Sequence, residues 1–467
     1  MPEKQVNILF MFGDQHRFCD LPCYGNQAVV APNFERIARE GRVFEHCYSN
    51  SPVCVPARGS LLTGLLPVRH RAVTNDLPID PACESIAHIL GREGYDTAYI
   101  GKWHLGGVPR ERFIPKEERL GFVGWKASEC IHNYLDSYYD DENNVRHAID
   151  GYEPDVQGDM AAEYVCGHTG KPWCLYLSFA TPHDPYELVP ARYKDLYKQK
   201  QTKRGNVRLP VCILGKTDYL PEGMYGDGAW LEEAYRGYYA HITAIDVQLG
   251  KLFAALEESG QAENTLVLYT SDHGDMLGSH GMHGKQVPYD ESVRVPLLAW
   301  HPGGVLPGRE SAIVSLVDLP VTAAGYVGAR FTDPDGLDLS NLLLGDGNGR
   351  EEAYIFEHVA AHQACDRDDD WNEWRGVRTR RYTYARSPEC ELALYDNVFD
   401  PLQLNNLIDD PCYQEVRVRL ANKVTELAAR YDRELPWDEF LRYYGLEEEW
   451  NKSQRYFGRH ELSSGKR

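Results

Sequence analysis

The sequence predicts a layered α/β fold with a smaller α+β unit at its C-terminal end. Two observations carry this prediction. Apolar, β-prone runs alternate with helical stretches over most of the chain, the pattern of a sheet covered by helices. Polar clusters recur directly after four of those runs, following Phe12, Ile100, Phe179 and Thr270. Open α/β sheets carry their sites at the carboxyl ends of their strands, so the four clusters are expected to converge. After about Arg350 the alternation gives way to short strand-like segments. The expected boundaries are residues 1–350 and 351–467, the second unit contributing to the rim of a substrate pocket.

In chain order, the run from Val6 to Phe12 reads as the first strand, ending at Gly13-Asp14-Gln15-His16. Asn33 to Glu40 follows Pro32 as a helix, and Val43 to Tyr48 is a short strand. Ala57 to Leu62 is free of proline and opens a helix after the Cys54 loop. Ser85 to Gly91 reads as a helix with Ile86, Ile89 and Leu90 on one face. Thr97 to Ile100 leads into Gly101-Lys102-Trp103-His104, and Trp173 to Phe179 into Thr181-Pro182-His183-Asp184. Leu231 to Leu256 has the spacing of a long amphipathic helix. Thr265 to Thr270 ends in Ser271-Asp272-His273-Gly274, and Val295 to Trp300 is a further strand. In the second unit, Glu352 to His358, Gly376 to Ala385 and Leu392 to Tyr395 read as strands, and Glu415 to Leu435 as a helix. The acidic run Asp366 to Asp370 reads as a solvated loop, with Trp371 and Trp374 beside it as candidate substrate-rim residues.

The 467 residues suffice for a large core and a smaller second one. A net charge of −21 argues against nucleic acid and anionic membrane as partners. It does not exclude an anionic substrate held by a local cationic cluster. No apolar run reaches the length that spans a bilayer. The first residues enter a strand pattern without the basic, apolar and small-residue order of a secretory leader. The expected location is therefore cytoplasmic, or periplasmic or secreted if a leader has been removed. The twelve cysteines form no CxxC pair and no zinc spacing, and read as reduced thiols, with one or two disulfides as the alternative.

Cys54 is the most informative residue. It precedes Pro56 and Arg58 in Ser51-Pro52-Val53-Cys54-Val55-Pro56-Ala57-Arg58. That places it where an extended segment meets a helix N-terminus, which favours anions and lowers a thiol pKa. A buried structural cysteine is the competing reading. Asp14, Gln15, Asp272 and His273 follow two different strands and could share one divalent ion. Oxygen donors favour calcium or magnesium, and the imidazole also admits manganese or zinc. Taken singly, Asp14 and Asp272 could be helix caps. Arg58, Lys102 and Lys285 could neutralise a tetrahedral anion, and His104 and His183 could move protons.

These residues resemble the formylglycine-dependent sulfatases of the alkaline-phosphatase-like superfamily. The run from Cys54-Val55-Pro56-Ala57-Arg58 to Thr63-Gly64 is similar to that family's modification signature. Asn7 to Gln15, Gly101 to Gly106, Pro182-His183, Ser271 to Gly274 and the block from Leu394 to Leu407 resemble family blocks in family order. The resemblance implies a three-layer sandwich with a large mixed sheet flanked by helices, and a short antiparallel sheet in the C-terminal subdomain. It implies that a separate maturation enzyme oxidises Cys54 to 3-oxoalanine (Cα-formylglycine), whose hydrate supplies the nucleophilic hydroxyl. Asp14, Gln15, Asp272 and His273 would then bind Ca2+ together with residue 54, with Mg2+ or Mn2+ as alternatives. Arg58 would hold the hydrate, Lys102 and Lys285 the sulfate oxygens, and Asn75 the hydrate or the sulfate. His183 would protonate the leaving alcohol, and His104 would assist breakdown of the sulfated hydrate.

Two positions depart from the common sulfatase pattern, Gln15 where many have aspartate and His273 where many have asparagine. Both resemble the related phosphonate monoester and phosphodiester hydrolases, whereas the Lys102-x-His104 pair resembles the sulfate-handling pair. The expected activity is hydrolysis of a sulfate monoester on a monosaccharide or short glycan. The alternatives are a phosphonate monoester or phosphodiester hydrolase, an arylsulfatase for small aryl or alkyl esters, and a non-catalytic binding protein with an unmodified thiol.

Overall fold

The computed structural model describes residues 5–199, 203–209, 211–213, 225–358 and 373–458. The strands from the first half of the chain are β1 (Asn7–Asp14), β2 (Arg42–Tyr48), β3 (Asp96–Lys102), β4 (Gly124–Ser128), β5 (Ser137–Asp141), β6 (Arg146–Ile149) and β7 (Trp173–Pro182). They are followed by β8 (Val211–Ile213), β9 (Tyr225–Gly226), β10 (Thr265–Ser271), β11 (Met282–His283), β12 (Arg294–Trp300) and β13 (Gly308–Ser315). A last group is β14 (Glu352–Glu357), β15 (Trp374–Thr379), β16 (Tyr382–Arg386) and β17 (Glu391–Asp396).

Ten strands form the main sheet in the order β13-β2-β12-β10-β1-β7-β3-β4-β5-β6. Its middle, β10-β1-β7-β3-β4, is parallel, and β12, β5 and β6 add antiparallel neighbours. Every residue of β1 is buried, as a strand covered on both faces must be. Successive side chains of a strand point to opposite faces, and here they enter different cores. Leu9 and Met11 pack with Leu249 and Leu252 of the helix Gly228–Glu258 and with Phe34 of Pro32–Glu40. Ile8, Phe10 and Phe12 pack with Leu61 and Leu62 of the helix Cys54–Thr63 and Ile89 of Ile86–Arg92. The sheet is therefore the middle of three layers.

The helix ends follow local chemistry. Asp227 caps the 31-residue helix by accepting the Trp230 N–H. Ser85 and His88 form a reciprocal capping pair at Ile86. The smaller antiparallel sheet runs β14-β15-β16-β17. Tyr354 and Phe356 face Leu420 and Val424 of the helix Gln414–Tyr431. Ala353 and Ile355 face Tyr48 and Ile313 of the main sheet. The segment read as one strand from Gly376 to Ala385 is instead a hairpin of β15 and β16. Strands β4 to β6, the helix Glu153–Gly167 and the helices Trp437–Tyr444 and Glu447–Tyr456 were not anticipated from the sequence. No helix among the described residues is long and apolar enough to cross a membrane.

Candidate active site

The four polar clusters meet because their strands are neighbours. In the parallel block β10-β1-β7-β3, Gly13 is paired with Ser271, Asp14 with Pro182, and Gly101 with Ser178. Asp272, Asp14, His183 and Lys102 consequently leave one edge of the sheet side by side. The helix Cys54–Thr63, buried along its whole length, aims its N-terminus at that edge. Val53 precedes it and offers no capping side chain. Asn75 supplies the missing acceptor from outside the helix, its Oδ1 taking the Val55 N–H at 3.1 Å. Gly59 is required inside this helix, because a Cβ there would lie 2.6 Å from the His70 ring.

Asp14, Cys54, Asp272 and His273 place one ligand atom each within 4.8 Å of one another, all buried. Arg58 sets the orientation of the two carboxylates from behind. Its Nη2 donates to Asp14 Oδ2 and its Nε to Asp272 Oδ2, each at 3.0 Å, and Lys102 Nζ reaches Asp14 Oδ2 at 2.6 Å. The Oδ1 atoms are left facing inward. Asp14 Oδ1 lies 3.7 Å from Cys54 Sγ and 3.6 Å from His273 Nε2, and Asp272 Oδ1 is also 3.6 Å from that nitrogen. His273 Nε2 is 3.2 Å from Cys54 Sγ. Its Nδ1 donates to the Gly274 carbonyl at 3.0 Å, leaving the Nε2 lone pair for the cluster.

The charges fit a divalent cation. Burial works against the Asp14 carboxylate, but the Lys102 and Arg58 cations bound to it hold it well below the usual range. Burial and the neighbouring Asp14 push Asp272 up. Two carboxylates with opposed shifts at one buried point have a like-charge conflict that a cation between them relieves. Two carboxylates and one imidazole suit a hard divalent ion when residue 54 offers oxygen in place of sulfur. At Cys54, burial and Asp14 disfavour the thiolate, and Lys285, Lys102 and His273 outweigh them, so the thiol lies well below its ordinary value.

The remaining candidates surround this centre. Lys285 Nζ donates to Gln15 Oε1 at 2.6 Å and lies 2.8 Å from His183 Nε2. His183 Nδ1 donates to the Asp184 carbonyl at 2.7 Å. Burial, Lys285 and His132 hold His183 well below its ordinary value, so the imidazole is neutral beside the lysine. His104 sits 3.9 Å from Asp76 Oδ1. Burial opposes its charge, yet Cys130 and Asp76 push it up to about 10. Gln15 adjoins the cluster through its backbone, its N–H donating to Asp272 Oδ1 at 3.1 Å. The hydrogen bonds of Arg58 go to the two carboxylates, the Lys102 carbonyl and Ser178, so it braces the site from behind.

Trp374 does not stand at a rim. It is fully buried, packs with Tyr48, Val293 and Ile313 between the two sheets, and donates its Nε1–H to the Gln286 carbonyl at 3.0 Å. Its neighbour in sequence pattern, Trp371, lies outside the described residues, as does the acidic run Asp366 to Asp370. Trp374→Ala is expected to cost about 3–5 kcal/mol of stability, read from denaturant unfolding; an unchanged midpoint would restore a surface role.

Sequence reasoning missed several neighbours. Cys130 Sγ lies 3.3 Å from His132 Nε2, and the His132 ring is 4.4 Å from that of His183. Asp76 binds Arg110 through both oxygens, at 2.7 and 2.9 Å. Asp275 and Tyr186 lie behind Gln15. The spacing Cys130-x-His132-x-Tyr134 was visible, but nothing in it says that β4 lies against β3. All ten cysteines with described side chains are unpaired.

Comparison with known proteins agrees with this geometry. The family model described as Sulfatase matches residues 6–329, and that described as N-sulphoglucosamine sulphohydrolase, C-terminal, matches residues 278–430. The chain is 34% identical over 455 residues to an ulvan-active sulfatase of Formosa agariphila, covering 94% of this chain and 84% of that protein. It is 26% identical over 503 residues to an N-acetylglucosamine-6-O-sulfatase of Bacteroides thetaiotaomicron, covering 92% and 87%. The crystal structure of a putative sulfatase from Bacteroides fragilis matches with a TM-score of 0.80 at 27% identity, covering 95% of this chain and 99% of that one. The chain thus belongs to the formylglycine-dependent sulfatase family of the alkaline-phosphatase-like superfamily, and it is a hydrolase of sulfate monoesters.

Proposed function

We propose that the enzyme removes sulfate from a sulfated monosaccharide or short glycan, using residue 54 as Cα-formylglycine and a bound Ca2+. One observation carries the reading. Cys54 stands at a buried helix N-terminus within ligand distance of two carboxylates and an imidazole, with Lys102 and Lys285 flanking it. Support for a glycan substrate comes from the ulvan-active and N-acetylglucosamine-6-O-sulfatase relatives.

Asp14, Gln15, Asp272, His273 and residue 54 would hold the calcium ion, which supplies Lewis-acid charge for oxygen ligands. A maturation enzyme would convert Cys54 to the aldehyde, whose hydrate offers one hydroxyl to attack sulfur and a second whose ionisation expels sulfate. The chain's own residues do the rest. Lys102 and Lys285 place positive charge where the sulfate oxygens gather negative charge. His104, charged at neutral pH, adds a third cation beside them. Lys285 and His183 share a proton across 2.8 Å, and this pair delivers it to the departing alcohol oxygen. Asn75 keeps the helix end capped, which fixes where residue 54 points.

A panel of regio-defined sulfated sugars, an aryl sulfate, an aryl phosphonate monoester and a phosphodiester tests the reading. The highest kcat/KM is expected on one sulfated sugar. Dominance of the aryl sulfate would remove the glycan assignment, and dominance of a phosphorus ester would remove the sulfate preference.

A further inference from the structure

Gln15 holds its amide between two opposite kinds of neighbour. Its Nε2 donates to Asp275 Oδ2 at 2.9 Å, and to Asp184 Oδ1 and the Tyr186 hydroxyl at 3.3 Å. Its Oε1 accepts from Lys285 Nζ at 2.6 Å. The two ends of an amide have nearly the same shape, so its partners decide which end points where. The backbone at Gln15 is itself constrained, with φ at 71° in the left-handed region. The Asp272 carboxylate holds its N–H, and the Tyr238 hydroxyl donates to its carbonyl.

Asp275 is locked in turn. Its Oδ1 accepts the backbone N–H groups of Leu277 and Gly284, each at 3.0 Å. Its Oδ2 accepts the Tyr186 hydroxyl, whose oxygen lies 3.0 Å from His283 Nε2. Asp275 is fully buried. It touches neither Cys54 nor the inward carboxylate oxygens in any of these bonds.

We propose that Asp275 is a positioning residue that requires an amide at position 15 and turns that amide's oxygen toward Lys285 and the cation site. The proposal rests on the calcium reading given above. A carboxylate at position 15 would face the Asp275 and Asp184 carboxylates across hydrogen-bond distance, whereas the amide donates to both. The site then carries two acidic ligands beside the cation rather than three. That leaves more of the charge of Lys285 for an anionic substrate.

A double-mutant cycle tests this. In Asp275→Asn, the Leu277 and Gly284 N–H groups hold the new carbonyl oxygen at the Oδ1 position. The new NH2 therefore replaces Oδ2, and Gln15 must turn its own NH2 toward Lys285. In Gln15→Glu, carboxylates oppose each other. In the Q15E/D275N double variant, the amide introduced at position 275 donates to one oxygen of the carboxylate introduced at position 15, the other oxygen accepts from Lys285, and the like-charged contact with Asp184 alone remains.

Each single variant is expected to weaken calcium binding by about tenfold or more, and the double variant to bind at least about threefold more tightly than either single variant. Titration calorimetry reads the affinity. The melting temperature of chelator-treated protein should follow the same order, with both single variants below the double. Additive losses in the double variant, or a D275N protein unchanged in both readouts, would overturn the proposal. If a single variant fails to fold, a folded, calcium-binding double variant supports the proposal and an unfolded one overturns it. If the wild type takes up no divalent cation, the calcium reading fails by itself, and the cycle in chelator-treated protein still decides the orientation of Gln15.

Discussion

Cys54→Ala is expected to fold as the wild type does and to lose turnover of sulfate esters by on the order of 10⁴-fold or more, the scale for removing a nucleophile. Alanine keeps the first turn of the helix, since it is the best helix former. It also leaves the Asn75–Val55 bond and the Arg58 bridge to Asp14 and Asp272 untouched. What disappears is the side chain proposed to act as an aldehyde hydrate at the meeting point of the cluster. Circular-dichroism melts and sulfate release measured on the same preparation check this. Near-normal turnover would remove residue 54 from the chemistry.

Asp14→Asn is expected to damage both stability and metal uptake. Asp14 Oδ2 is shared by Lys102 Nζ and Arg58 Nη2, and all three side chains are at most 1% exposed. Removing the carboxylate charge leaves two buried cations with less counter-charge. Breaking a buried pair in this way costs about 3–5 kcal/mol. The loss should appear as a lower unfolding midpoint in chelator and as loss of calcium binding by calorimetry. The pH dependence has a definite sign. Asp14 lies well below the ordinary carboxylate range in the folded protein, so its contribution is present above that range and fades as pH falls through the folded value. The gap in stability between wild type and D14N should therefore narrow in acid. A gap that widens in acid would contradict the assignment.

The parts of this molecule that could be read from sequence are those where burial leaves a one-dimensional mark. Strand β1 is covered on both faces and so appears as the apolar run Ile8-Leu9-Phe10-Met11-Phe12. The clusters after Phe12, Ile100, Phe179 and Thr270 were legible as strand-end loops. Their convergence depends on β10, β1, β7 and β3 being adjacent, which the shared location of sites in α/β sheets suggests. Strands β4 to β6 were not legible, because sequences such as Ser137-Tyr138-Tyr139-Asp140-Asp141, one strand in from the sheet edge, lack an apolar run. Trp374 was misplaced for a related reason. An indole near an acidic run looks like a rim residue, but its strand faces Tyr48 and Ile313 across the junction of the two sheets. Asp275 and Tyr186 were missed because their effect on Gln15 passes through tertiary hydrogen bonds, of which spacing holds no trace.

Sulfate transfer is proposed to begin at a formylglycine made from Cys54. The most direct measurement is the fraction of residue 54 present as aldehyde, read by peptide mass spectrometry, against specific activity on a sulfate ester. Preparations made with and without a formylglycine-generating enzyme supply the range. Specific activity should rise in proportion to the aldehyde fraction and pass through zero where only thiol is present. Full activity in a preparation whose residue 54 is entirely thiol would contradict the account.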